Sequence, residues 1–323
     1  MAITKWFTAV AALMLCAGHT YSHQAAVVDS GAEFRARKLT EHVYVIHGPQ
    51  AFPSPKTRGF MNNPGFVVTD KGVVLIDPGS SVQIGNKVLE AIRGITDKPV
   101  IAVFNTHVHG DHWLGNQAVR QAYPQVPIYA HRRMIERVKM GEGEEWIKLF
   151  HGLTEGAVQG TQVVPPNIGL SGGEFIRIGN TPFRIYNTGK AHSDTDIMIE
   201  ASNDRTIFLG DIVTNQRIQS ARPADSDIIG QINAVEFVLT TGNEWFVPGH
   251  GLSGGREVPE RQLNFLNQLY ASVQGHYEDG LADYEMIALV KQDLAAYRNW
   301  FNFDELGRVI SNVYLKVEEV AFE

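Results

Sequence analysis

FNTHVHGDHWLGN, residues 104–116, sets three histidines and an aspartate inside six positions: His107, His109, Asp111 and His112, with Gly110 between them. The apolar run PVIAVF leads directly into it, so these ionisable side chains stand where a buried strand should end. Their spacings of two and three residues suit a strand end and loop, not the i, i+4 pairing of a helical His-Glu-x-x-His site. Gly110 is expected to let the backbone turn sharply, so that the flanking side chains converge. A chance His-x-His-x-Asp-His match arises in about one such sequence per thousand, so the cluster reads as metal-ligating chemistry and not as a polar surface loop.

One loop cannot complete a metal centre, and three later positions offer themselves: His192 in NTGKAHSDTD, Asp211 in TIFLGDIV and His250 in WFVPGHG. Each follows a candidate strand with glycine nearby, where strand tips can meet along one sheet edge. The set is five histidines and two aspartates. Nitrogen and oxygen donors without sulfur favour zinc first, then iron or manganese, while calcium and magnesium seldom take imidazole. Seven donors exceed one tetrahedral site and suit two ions sharing a carboxylate.

Working outward, short runs rich in branched and aromatic residues alternate with helix-like stretches. HVYVIHG, GFVVTD, VVLIDPG, PVIAVFNTH, PIYAH, EFIRIG, FRIYNTG, DIMIE and TIFLGD are candidate strands, bounded by Gly, Pro, Asn or Asp. Ile84, Val88, Ala91, Ile92 and Ile95 recur at helical spacing, and residues 234–239 also read as helix. Paired strands, a βαβ-like middle and then strands again predict an α/β fold of two sheets with helices outside. After about Gly255 the pattern becomes helical: Leu266, Leu269, Tyr270 and Val273 form one stripe, and Leu306, Val309, Ile310 and Val313 another. Residues 30–255 are therefore expected to form the main domain. Residues 256–323 should form a helical C-terminal extension that packs on it or on a second subunit, making an oligomer through these helices possible.

The chain has 323 residues and a formal net charge of −7, with its lysines and arginines scattered, which argues against nucleic acid and anionic membrane surfaces as partners. MAITKWFTAVAALMLCAGHTYSHQ has Lys5, an apolar run from Trp6 to Ala17 and small or polar residues around Thr20 and Ser22, the layout of a secretory signal over residues 1–23. The run is short for a membrane span, so no stable membrane insertion is expected after cleavage, and the mature protein should be periplasmic or secreted. Cys16, the only cysteine, lies inside this leader, preceded by a bulky Leu15 that suits lipoprotein processing poorly. The mature chain then has no disulfide and no thiolate ligand.

THVHGDH, the histidine of GKAHS, the GD of FLGD and PGHG resemble, in that order, the motifs of the metallo-β-lactamase superfamily, and VVLIDPG with Asp77 is similar to its first motif. The resemblance covers about residues 40–255. It implies an αββα sandwich with the metals at one edge. It also implies that His107, His109 and His192 hold one metal, that Asp111, His112 and His250 hold the other, and that Asp211 bridges them. Asp77 is then either a residue that orients the site or simply a turn residue before Pro78 and Gly79. An aspartate at 211, where some zinc β-lactamases carry cysteine, resembles the glyoxalase II pattern. FMNNPGFVVTDKGVVLIDPG, THVHGDHWLGN and DELGRVISNVYLKVE are similar to the quinoprotein relay system zinc metallohydrolase group.

Two zinc ions holding a water between them generate hydroxide near neutral pH, so the expected activity is hydrolysis of a small-molecule carbonyl substrate: β-lactam, lactone, ester or thioester. Asp111, a carboxylate beside that water, is the expected catalytic group, orienting it or moving its proton. Ser193 reads as a turn or hydrogen-bonding residue, not a nucleophile. Two alternatives share the fold: a mononuclear iron sulfur dioxygenase, and a non-catalytic accessory protein of quinoprotein assembly or sulfur metabolism. Residues 48–65, with Phe52, Phe60 and Met61, are expected to fold over a bound apolar group. Trp113 either lines the pocket or supports the loop from within. The segment 140–173, with Trp146 and Phe150, is a candidate second wall, and Lys190 and Arg217 either meet a substrate carboxylate or are surface charges. His42, His47, His131, His151 and His276 lack a converging context and are left outside the site.

Overall fold

A computed structural model describes residues 34–219 and 225–322, and the expected leader lies outside them. The first sheet runs in the order β1 (Arg37–Lys38), β2 (Val43–Val45), β3 (Gly65–Val68), β4 (Val73–Ile76), β5 (Val100–Phe104), β6 (Ile128–His131) and β7 (Ile168–Leu170). It is antiparallel as far as β4 and parallel from there on. The second sheet comprises β8 (Phe175–Ile178), β9 (Thr181–Tyr186), β10 (Met198–Ala201), β11 (Thr206–Phe208) and β12 (Trp245–Val247), with only the β11–β12 pair parallel.

Parallel neighbours need crossovers, and helices supply them. These are α1 (Val82–Arg93) after β4, α2 (Gly110–Trp113) and α3 (Asn116–Ala122) after β5, α4 (Arg132–Arg137) and α5 (Gly143–Leu153) after β6, and α6 (Ile228–Val238) before β12. The chain closes with α7 (Glu257–Glu278), α8 (Asp283–Asp293) and α9 (Leu306–Ala321).

Strand alternation assigns the layers. In β4 all four residues are buried; Val74 and Ile76 face Phe183, Ile199 and Phe208 between the sheets, whereas Val73 and Leu75 face Val88 and Ile92 of α1. On the second sheet Met198, Ile207 and Phe246 point outward and are covered by α6 and the C-terminal helices through Val235, Leu266, Leu269, Val273, Ile310 and Val313. Each such aliphatic side chain contributes about 1.5–3 kcal/mol on burial. The result is the helix–sheet–sheet–helix layering expected of the α/β chain, with C-terminal helices on the outer face of the second sheet.

All nine expected strands are present. Three short ones, β1, β7 and β12, were absent from that set, and α5 and β7 lie within the segment 140–173 offered as a second wall. Trp146 and Phe150, four residues apart, form the buried stripe of α5, and Glu144 and Glu145 stand in its first turn, where the helix dipole favours acids. The loop 48–65 is not a free flap. Phe60 is buried and stacks on Phe34 with ring centroids 4.2 Å apart, while Asn63 donates to the carbonyls of Pro248 and Gly251 at 2.9 and 2.6 Å. Only the Phe52 end and Met61 reach the cavity described below.

Candidate metal centre

The ligand candidates all follow the C-terminal ends of strands. His107 and His109 lie just past β5, His192 follows β9, Asp211 follows β11 and His250 follows β12. Asp111 and His112 do not sit in an extended loop as expected; they occupy the helical turn α2, which directs both side chains to the same side as His107. Gly110 also has a different reason from the one its motif suggested. Its backbone is ordinary helix, and a Cβ there would come within 2.7 Å of the Trp146 Cβ, so the absent side chain admits the tryptophan. In PGHG, a Cβ on Gly249 would run into the Asp211 carboxylate.

The seven side chains meet in three overlapping groups. Atoms of His107, His109 and His192 fall within 4.8 Å of one another, as do those of Asp111, His112 and His250, and His107, His112 and Asp211 form a third set between them. Asp211 presents Oδ1 at 3.2 Å from His112 Nε2, and Oδ2 at 3.3 Å from His250 Nε2 and 3.5 Å from His192 Nε2. Its carboxylate therefore faces both histidine groups.

Four of the five rings are held on the far side by a hydrogen bond, and the fifth, His109, faces a carboxylate there. His250 Nδ1 donates to the Met61 carbonyl at 2.8 Å; a carbonyl only accepts, so Nδ1 carries a proton and Nε2 is the atom turned toward the carboxylates. His112 Nδ1 donates to Asp77 Oδ2 at 2.8 Å. The same carboxylate accepts the Thr106 hydroxyl at 2.7 Å and its amide at 2.8 Å, so the Thr106 oxygen is left to accept from His107 Nδ1 at 3.0 Å. His192 Nδ1 meets Gln219 Oε1 at 3.2 Å, and His109 Nε2 lies 3.5 Å from Asp225 Oδ2. Outer partners of this kind fix the tautomer of a metal-ligating imidazole.

Electrostatics point the same way. Burial and neighbouring rings hold His107 well below its ordinary pKa, and burial also lowers His109 and His192, so these three are neutral donors. Burial opposes ionisation of Asp111, yet His112 and His250 draw it down to about 2; Asp211 is likewise lowered, by His250 and His112. Against the cost of burial, His112 and His250 are raised by the carboxylates around them. Anionic oxygens this deep call for positive charge, which divalent cations would meet with every imidazole neutral.

The buried atoms left without a hydrogen-bond partner include His107 Nε2, His112 Nε2 and Asp211 Oδ1, all facing inward. Orphaned donors of this type on converging, pre-oriented rings fit metal ligation.

The remaining sequence candidates divide. Asp77 is both things proposed for it: it turns the chain with φ +53° and its carboxylate grips His112 and Thr106. Trp113 is fully buried, its Nε1 donating to the Val108 carbonyl at 2.7 Å, so it braces the loop and lines nothing. Ser193 is buried and donates to Asp196 Oδ1 at 2.7 Å, within a cluster where burial pushes Asp196 up to about 7. Lys190 is exposed, whereas Arg217 lines the metal-side cavity. His42, His47, His131, His151 and His276 stay outside the cluster. Sequence reasoning missed Thr106, Gln219 and Asp225, and named Met61 for its side chain and not for the carbonyl that holds His250; a hydroxyl, an amide, a distant carboxylate and a carbonyl have no spacing to announce them.

A cavity of about 370 Å³ opens over the centre. His109, Asp111, His192, Asp211 and His250 form its floor, and Phe52, Trp146, Leu149, Phe150 and Leu153 one wall.

Residues 57–250 match the family model described as the metallo-beta-lactamase superfamily. A probable metallo-hydrolase of Streptococcus pyogenes is 35% identical over 71 residues, which is 22% of this chain and 29% of that protein. A hydroxyacylglutathione hydrolase of Francisella tularensis is 26% identical over 127 residues, 39% of each chain. The matches thus span less than half the length of these curated relatives. Among solved structures, a metallo-beta-lactamase from Pontibacter korlensis superimposes with a TM-score of 0.58 at 18% identity, over 73% of this chain and 99% of that one; the likeness is one of fold.

Proposed function

The chain belongs to the metallo-beta-lactamase superfamily, and from that premise we propose that it is a hydrolase with two zinc ions that cleaves a carbonyl substrate: an ester, thioester, lactone or β-lactam. The observation that carries this reading is the Asp211 carboxylate, whose two oxygens face His112 on one side and His192 and His250 on the other. His107, His109 and His192 would hold one ion, and Asp111, His112 and His250 the second, with Asp211 between them. The presence of a full second group favours this over a single-iron oxygenase. What such ions supply is Lewis acidity toward a carbonyl oxygen and a water acidic enough to ionise near neutrality.

The protein's own groups do the rest. Asp111, ionised and on the cavity floor, accepts a hydrogen bond from the attacking water and so aims its lone pair. Asp77, Thr106, Met61 and Gln219 keep ring protons on the outer nitrogens of four histidines. Trp146 and Phe150 exclude water from one side. That one matched relative bears the name hydroxyacylglutathione hydrolase supports thioester-like substrates.

We take residues 30–255 as the catalytic domain, residues 256–323 as a helical extension and residues 1–23 as a leader directing the enzyme to the periplasm or outside the cell. Among the described residues no helix is long and apolar enough to cross a membrane. The test is metal quantification on the purified mature protein, joined to a panel of esters, lactones, thioesters and a chromogenic cephalosporin. Two zinc ions per chain with turnover of one class is the expected result. One iron with oxygen consumption would overturn the proposal, as would a fully loaded protein inert on every class.

A further inference from the structure

Arg217 is 5% exposed and lines the cavity above the metal ligands. Its polar neighbours are Gln50 Oε1 and the Ala51 carbonyl, each 3.4 Å from Nη1, and no ion pair holds it among the described residues. A buried guanidinium costs several kcal/mol unless an anion answers it, and a cavity wall is where such an anion can arrive from outside.

The C-terminal segment sets this side chain in place. Phe301 donates its amide to the Gln216 carbonyl at 3.0 Å and accepts from the Ile218 amide at 2.9 Å. Its ring then lies 4.6 Å from the guanidinium carbon, so the planar face is stacked while Nη1 makes the two long bonds to Gln50 and Ala51, and Nε and Nη2 make no hydrogen bond to the described residues. Residues 301–308 lie outside the span matched by the family model, so this wall belongs to the chain's own C-terminal extension. The wall formed by Phe52, Leu149 and Leu153 is different in kind. These side chains are 50%, 41% and 46% exposed, an unusual amount of apolar surface to leave at a cavity mouth.

We propose that the cavity selects an amphiphilic anion: an oxyanion on the substrate, planar carboxylate or tetrahedral sulfonate-like group, seats on Arg217, and an alkyl or acyl chain lies along Phe52, Leu149 and Leu153. The inference rests on the hydrolase reading of the same cavity and names the substrate class it would take. Arg217 offers the fork that pairs two N–H groups with two oxygens, and the cavity's low dielectric strengthens that bond.

Calorimetric titration of the metal-loaded protein with decane-1-sulfonate and with decanoate tests the assignment without turnover. Both should bind, and whichever binds more tightly identifies the anion's geometry. Decyltrimethylammonium should bind far more weakly. Hexanoate, octanoate and decanoate should gain about three- to fourfold in affinity per methylene. Arg217→Gln should weaken decane-1-sulfonate about 10- to 100-fold at unchanged metal content. Arg217→Lys, which keeps the charge but loses the planar fork, should weaken it about tenfold and carries the test if the glutamine variant does not fold. Equal binding of the cation, affinities that ignore chain length, or both Arg217 variants binding like the parent would each overturn the inference. A protein that binds decane-1-sulfonate through Arg217 yet hydrolyses no member of the substrate panel would overturn only the hydrolase reading.

Discussion

Replacing Asp77 by asparagine preserves shape and reverses polarity at one atom. Oδ2 of Asp77 accepts from His112 Nδ1 at 2.8 Å and from the Thr106 hydroxyl at 2.7 Å, while Oδ1 accepts the Thr106 amide at 2.8 Å. In Asp77→Asn the carbonyl oxygen can keep the amide, but an NH2 group then faces His112 Nδ1. The ring must accept there, which moves its proton to Nε2, the atom turned toward Asp111 and Asp211. Thr106 loses its acceptor too, so its hydroxyl can donate to His107 Nδ1 and push that ring toward the wrong tautomer as well. Two charge-assisted bonds are lost, each about 1.5–3 kcal/mol. Part of this falls on folding, and the share that reaches the metal should be about 1.4–2.8 kcal/mol, or 10- to 100-fold in affinity. Chelator competition on parent and variant measures it, with thermal unfolding of the metal-free forms as the control for folding. The weaker loss should fall on the His107 group, reached only through Thr106. If the variant binds both ions within about threefold of the parent, the tautomer argument is wrong.

Three further outcomes follow from the same geometry. Asp211→Ala and His107→Ala should each lose metal and turnover while keeping the far-ultraviolet spectrum of the parent, because the cores lie between and outside the sheets; full turnover in metal-depleted Asp211→Ala would refute the two-metal assignment. Gly110→Ala should cost about 1–3 kcal/mol of stability and lower turnover, since its Cβ meets Trp146 at 2.7 Å; a melting temperature equal to the parent's would refute the packing argument. His47 is lowered by burial, and then by the charge of Arg37, from 6.5 to about 4, and it accepts the Ser253 amide at 3.1 Å on Nε2. Its native pKa is depressed, so between pH 6.5 and 4 the unfolded chain binds a proton that the native chain refuses, and stability falls as pH drops through that window. The effect reaches about 3 kcal/mol, and denaturant unfolding of His47→Gln should show a correspondingly flatter profile over that range.

Much of the fold was legible because its signals are local. Val73 to Ile76 and Thr206 to Phe208 are apolar runs ending at Asp77 and Gly210, and the stripes through Leu269 and Ile310 need only helical spacing. β1 was not in the strand set because it has only two residues, and β7 because it carries Gly169 just after Pro165, Pro166 and Asn167, which read as a turn; β12 entered only as the run that places His250. α5 was not among the helices read from the sequence, although Trp146 and Phe150 carry a four-residue repeat between flanking glycines. The motif itself misled in two details: Asp111 and His112 are helical, and Gly110 is small for the sake of Trp146, which is distant in sequence.

By itself the sequence determined which side chains have the chemistry to bind metal, since five histidines and two aspartates at strand ends can be counted without coordinates. Only the tertiary structure decided how they are held and what they face. Asp77 reaches His112 across 35 residues, Met61 reaches His250 across 189, and Phe301 stacks on Arg217 from the C-terminal segment. These contacts fix tautomers and turn an arginine that reads as an ordinary surface charge into a buried one. The physical reason is that donor type is a property of one residue, whereas desolvation and hydrogen-bond direction are properties of a packed neighbourhood that strands and helices distant in sequence build together.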